Sequence, residues 1–143
     1  MNSTVFITVI AGVLTYVLGQ IVVKLVIDPI QDFKKTIGKV AHTLVMRAGV
    51  ISNPGIGKDD AMDSTSNELR ALSSDLHTHL RLIPYFSLSV RIFGLPSHKQ
   101  VIQASSSLIG LSNGVRTARD GIYEMNASGV RKVRESLGIY YDT

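Results

Sequence analysis

Reactive side chains are scarce in this sequence, and their spacing limits the chemistry open to it. There are no cysteines, which removes disulfides, thiolate catalysis, thiolate zinc sites and iron–sulfur clusters. His77 and His79 stand two apart on a segment that reads as a helix, so they point in different directions and do not form the i, i+4 pair of helical zinc sites. Asp75 and His79 do share a helical face. With no nucleophile motif or third orienting group beside them, they read as a surface or interface hydrogen bond. His42 and His98 are isolated, and Glu68, Glu124 and Glu135 lie too far apart for spacing to argue a pair of working carboxylates. Gly55-Ile56-Gly57-Lys58 has the glycines of a phosphate cradle. It lacks a Ser or Thr after the Lys and does not follow a strand, so Ser52 to Lys58 reads as a helix-to-helix connection. The expectation is a non-enzymatic chain with no catalytic residue, no cofactor and no metal site.

Charge points the same way. The formal net charge of +4 suits contact with acidic lipid heads or a small anionic ligand. No dense basic face or stacking aromatics mark a nucleic-acid binder, so no nucleic-acid partner is expected. A symmetric oligomer can nevertheless build an anion pocket from one Arg per subunit, with no local motif in any single chain.

The residues that decide the architecture lie at the start. No charged side chain occurs before Lys24, and the apolar run from Val5 resumes after it with Leu25, Val26 and Ile27. About 20 apolar residues cross a hydrocarbon core of ~30 Å, so a transmembrane helix over about 4–27 is expected. A cleaved export signal has a basic opening, a shorter apolar stretch and a small-residue cleavage site, and none of these is clear here. Lys24, Lys34, Lys35, Lys39 and Arg47 follow the span. The positive-inside rule then places the N-terminus outside and the C-terminus in the cytoplasm. Ala11, Thr15 and Gly19 are spaced four apart with Gly12 beside them, a small-residue face for packing against another helix, and Gln20 offers a hydrogen bond across it. Lys24, Lys34, Lys35 and Lys39 are the expected contacts to lipid heads.

Behind the anchor (1–27), a cytoplasmic helical domain over 28–114 is expected, with helices at about 29–48, 60–83 and 98–112. Asp28-Pro29 is a helix-start signal, for a fresh helix or a kinked continuation of the anchor, and Ile30, Phe33, Ile37, Val40 and Leu44 make one apolar seam. Met62, Leu69, Leu72, Leu76 and Ile83 make a second, with Thr65 and His79 on the same stripe. Between Pro84 and Gly94-Leu95-Pro96 lies an apolar, aromatic stretch, 85–93, that reads either as a short buried element or as a piece dipping into the membrane interface. Ser97-His98-Lys99-Gln100 has the form of a capping box. Val101, Ala104, Leu108 and Leu111 form the inward side of the helix that follows. Residues 115–143 read as a basic, weakly patterned tail with one short helix, the least ordered region. The fold class is therefore all-α: one N-terminal transmembrane helix followed by a small cytoplasmic helical bundle.

Gly19-Gln20, Lys24-Leu25, Asp28-Pro29-Ile30 and Lys34-Lys35-Thr36-Ile37-Gly38, with Glu68-Leu69-Arg70 and Leu108-Ile109-Gly110-Leu111-Ser112-Asn113 further on, resemble a widespread family of small, uncharacterised single-pass bacterial membrane proteins. The similarity covers most residues from the anchor to Asn113. It implies location in the bacterial inner membrane and brings no agreed activity and no catalytic residues; the tail after Asn113 departs from it.

The function these features suggest is a membrane-anchored interaction protein that self-associates through the anchor and the first cytoplasmic helix. Its partners are the lipid bilayer, further copies of itself and an unidentified protein or small anionic ligand. The alternative is a membrane-disrupting or ligand-gated effector of a bacterial defence or toxin system, against which the nearly unbroken apolar surface of the span weighs. An interfacial lipid-acting enzyme is a third, weaker reading.

Overall fold

Pro29 governs how the apolar N-terminal helix joins the rest. Helix α1 (Ser3–Val22) runs through one π-helical turn (Val23–Ile27) into α2 (Asp28–Met46), a continuous helical stretch of 44 residues. In a regular α-helix the ring of Pro29 would press on the carbonyl of Leu25, and Pro has no N–H to give. Widening the turn, so that the Asp28 N–H reaches Val23 O five residues back, accommodates the ring without breaking the helix. Asp28 accordingly does not act as the cap of a fresh helix: its backbone is helical and its carboxylate takes Lys24 Nζ at 3.0 Å.

The computed structural model describes residues 2–140, all-helical apart from turns and connections. Residue 1 and residues 141–143, the outer ends of the expected anchor and tail, lie outside the described residues. After α2 the chain turns at Arg47 (φ −99°, ψ 8°) into the short α3 (Ala48–Ser52), so the helix expected over 29–48 is divided in two. A glycine-containing loop leads to α4 (Asp59–Leu82), then α5 (Phe86–Phe93), α6 (His98–Gly114) and α7 (Ile122–Leu137). In the loop, the Gly55 N–H donates to Val115 O at 3.0 Å, which ties it to the α6–α7 connection.

Cross-helix contacts fix the directions. Thr36 meets His79 while Thr43 meets Glu68, so α4 runs antiparallel to α2. Ser73 meets Ser105, and Arg70 bonds Asn113, so α6 runs antiparallel to α4. The bundle thus has two ends. One, beside the π-turn, holds the end of α4, all of α5 and the start of α6; the other holds α3, the 53–58 loop and the α6–α7 turn.

Periodicity explains the core. Ile30, Phe33, Val40 and Leu44 are buried and Ile37 is half-buried, facing Leu69, Leu72 and Leu76 of α4 and Val101, Ala104, Leu108 and Leu111 of α6 in one apolar cluster. Each fully buried Leu or Phe contributes roughly 1.5–3 kcal/mol. The Ser97–Gln100 capping box forms in full: the Gln100 N–H donates to Ser97 Oγ at 3.3 Å and the Ser97 N–H to Gln100 Oε1 at 2.8 Å.

The largest departure from expectation is at the C-terminal end. In place of a weakly patterned tail, α7 is a 16-residue helix whose contact with α6 is the most extensive in the molecule. Small residues allow it. A Cβ on Gly114 would stand 2.2 Å from Asn126 Oδ1, and one on Gly129 would stand 3.0 Å from Leu111 Cδ2, so the two backbones approach where no larger residue fits. Asn126, 1% exposed, donates to Ile51 O at 2.9 Å and joins α7 to α3. Gly114 and Gly129, poor helix formers by local preference, lie at the α6–α7 contact.

Candidate functional site

Three features sit along and just beyond the N-terminal helix: the bare span, its charged collar and a polar cleft between α2 and α4. In the span, Ala11, Gly12, Thr15, Gly19 and Gln20 are all exposed, and a Cβ added to Gly12 or Gly19 would meet nothing within 4 Å. No residue of α1 is buried. Thr8 Oγ1 donates to Thr4 O at 2.8 Å, which returns a potentially polar group to its own backbone. The intrachain packing of this segment is nil, while its side chains are those of a buried core.

At the collar, Lys24 pairs with Asp28 and Lys35 with Asp32, both at 3.0 Å and both exposed. Such pairs contribute ~0–1 kcal/mol. Lys34 is exposed beside them. Lys39, one turn on from Lys35, lines the cleft between α2 and α4.

The cleft, of about 290 Å³, has Asp32, Lys35 and Lys39 on its α2 wall and Asp75 and Thr78 on its α4 wall, with Thr36 and His79 also lining it. Thr36 Oγ1 and His79 Nε2 share a hydrogen bond of 2.9 Å, and the imidazole packs on the Phe33 ring at 5.5 Å. Burial holds the His79 pKa below its ordinary 6.5 and Lys39 adds to the effect; Asp75 and Asp32 oppose it. His79 Nδ1 has no hydrogen-bond partner among the described residues.

A hydroxyl and an imidazole at this distance are the first two members of a nucleophile–base arrangement. The remainder is missing. Asp75 acts on the ring through space without a hydrogen bond, and both residues lie within helices whose backbone N–H groups are engaged, which leaves no backbone donors for a developing oxyanion. The pair joins α2 to α4. Sequence reading placed His79 beside Asp75 one turn away but missed Thr36, 43 residues distant; only the antiparallel pairing of the helices brings it in.

A second polar cluster lies higher on the same helix pair. Burial pushes Glu68 up, but hydrogen bonds from Thr43 (2.8 Å) and Arg47 (2.9 Å) outweigh it, helped by the Arg47 charge and more weakly by His42, and its carboxyl titrates below the ordinary value. Arg47 also donates to Ser64 at 3.2 Å. Among the described residues no group of three or more His, Asp or Glu side chains is placed to hold a metal.

A scan against protein-family models finds no match for this chain, and comparisons with the curated proteins and with solved structures find none either.

Proposed function

We propose that this chain is a non-enzymatic, membrane-anchored helical interaction protein that self-associates through its N-terminal span. The observation that carries the reading is the contrast within one helix. The 18-residue apolar window in Ser3–Met46 has a mean hydropathy of 2.2 and none of it is buried within the chain. A soluble protein would leave that surface in water, at roughly 25 cal/mol per Å² of apolar area; a bilayer covers it. The resemblance to small single-pass inner-membrane proteins and the lysines after the span support a bacterial inner-membrane location with the N-terminus out and the bundle in the cytoplasm.

Self-association is assigned to the span alone. The α2 seam is filled by α4 and α6 of the same chain, so the first cytoplasmic helix has no apolar seam left to share with a second copy. The face carrying Ala11, Thr15 and Gly19 is open to the closest approach of another backbone, with Gln20 able to bond across it. Crosslinking in native membranes is expected to trap dimers or higher species, and Gly19→Ile to reduce them while carbonate-resistant membrane retention persists. A monomer-only pattern overturns the self-association, and release of the intact chain by carbonate overturns the anchor. With Gln20 the one strongly polar side chain between Val5 and Val23, induced expression is expected to leave membrane potential unchanged.

A further inference from the structure

The bundle end beside the π-turn carries apolar side chains that the core does not use. Leu82, Tyr85, Leu88 and Ile92 are 58, 86, 57 and 64% exposed, four large apolar groups within eleven residues. Tyr85, Leu88 and Ile92 follow one another at three and four residues, so they form a stripe along the outer face of α5. The inner face carries Ser89, Val90 and Phe93 together with Phe86, whose ring reaches Phe33 at 6.1 Å and His98 at 6.4 Å. This helix is thus apolar on both sides, and one side has no partner in the chain. Tyr85 stands in the left-handed region (φ 48°, ψ 49°), a conformation a non-glycine residue rarely adopts, and its ring is exposed.

Height along the anchor helix says what covers this face. α4 runs antiparallel to α2 and ends at Leu82, and Phe86 at the start of α5 rests on the Phe33 ring of α2. Phe33 is about 9 Å beyond Ile27 at ~1.5 Å per residue, so this end of the bundle adjoins a headgroup layer roughly 5–8 Å deep. Arg81, Arg91 and Lys99 are exposed at the same end, with no ion-pair partner among the described residues. An apolar stripe, a Tyr and a basic rim beside the headgroup layer are the makings of an interfacial helix. The far end also exposes apolar groups, Val45, Met46, Ile56, Tyr123 and Met125, but these are scattered over two helices and a loop and form no continuous stripe on one helix.

We infer that α5 is a second membrane contact, an interfacial helix that seats Tyr85, Leu88 and Ile92 among the acyl-chain ends nearest the headgroups and sets the bundle upright on an anionic lipid surface. The inference rests on the anchor reading and extends it: one tether lets the bundle swing, whereas two contacts fix its orientation and direct the distal end toward the cytoplasm.

The chain has no tryptophan, so single substitutions give sole reporters. Full-length Leu88→Trp, Val13→Trp and Ile56→Trp are placed in vesicles of phosphatidylethanolamine and phosphatidylglycerol containing lipids brominated near the carbonyl end of the acyl chains. All three positions are exposed, so helical circular dichroism is expected to be unchanged. Leu88→Trp is expected to be blue-shifted and several-fold more quenched by the brominated lipid than Ile56→Trp, with Val13→Trp confirming insertion of the span. Quenching of Val13→Trp without quenching of Leu88→Trp overturns the inference and leaves the anchor standing. A blue-shifted Leu88→Trp that bromine does not reach means that protein covers the stripe, and overturns it as well. If Val13→Trp also escapes quenching, the anchor reading fails and this inference falls with it.

Discussion

From Ser3 to Met46 the chain forms one continuous helix with two kinds of surface. Before the π-turn every face is apolar and no side chain is buried; after it, one face is buried to completion and the others are charged or polar. The backbone is nearly the same in both halves, so the difference lies in what the side chains require. The second half finds its partners among α4 and α6, which a water-exposed stripe can recruit during folding. The first half has no stripe to match to a partner helix, only an all-round apolar surface that a lipid phase satisfies. Pro29 and its widened turn mark the boundary between the two surfaces.

The contrast breaks most visibly at Phe33. This ring is fully buried against His79 and Phe86, so Phe33→Ala is expected to lower bundle stability by about 3–5 kcal/mol, read by chemical denaturation of the full chain in detergent micelles. Phe6→Ala, at an exposed position of the span, is expected to leave the same transition unmoved. Equal losses at the two positions would erase the distinction.

Glycines separate the halves next. Gly114→Ala drives a methyl into Asn126 Oδ1 at 2.2 Å and is expected to cost about 1–3 kcal/mol by forcing α6 and α7 apart. Gly12→Ala meets nothing within the chain and is expected to change crosslinking yield alone. A smaller loss is expected at the buried serine pair, where Ser73 Oγ and Ser105 Oγ lie 2.6 Å apart. Ser73→Ala is expected to cost about 1–2 kcal/mol, because it leaves Ser105 with fewer partners, and adding Ser105→Ala should cost less than the sum of the single changes. Strict additivity would show that the two hydroxyls do not act together.

The smallest effect is the dependence on pH. The folded-state pKa of His79 lies below its ordinary 6.5, because burial, with Lys39, outweighs Asp75 and Asp32. The unfolded chain therefore takes up the proton first. The contribution of His79 to stability is complete above pH 6.5 and declines as pH falls below it. Glu68, also depressed, contributes fully above its ordinary 4.5 and loses that contribution as pH falls further. Stability measured against pH should lose its first slope in His79→Gln and keep the second; a slope below 6.5 that survives this substitution assigns it to another group.

How legible the molecule is in its sequence depends on whether a residue's role is set by its neighbours in the chain or by those across the bundle. Ile30, Phe33, Val40 and Leu44 announce a seam because helical spacing is a local rule, and Ser97 with Gln100 announces a cap for the same reason. At Asp28-Pro29 a fresh helix and a continuation of the first both fit the local residues, and the structure takes the continuation: Lys24, one turn back, holds the Asp28 carboxylate while the helix widens to pass Pro29. The C-terminal helix is hidden because Gly129 within it counts against a helix locally and in favour of packing on α6 globally. Thr36 beside His79 and Ser73 beside Ser105 lie 43 and 32 residues apart, and no spacing in the chain links them.

By itself, then, the sequence determined which stretch is too apolar for water, which turns begin and end the helices, and which faces seek a core, since each follows from side-chain chemistry within a turn or two. Only the tertiary structure decided that the α2 seam is closed by the chain's own helices, that α7 belongs to the bundle, and that one face of α5 is left exposed at the bundle end beside the π-turn. Those outcomes depend on how antiparallel helices align in register, a property of the packed assembly that no local segment contains.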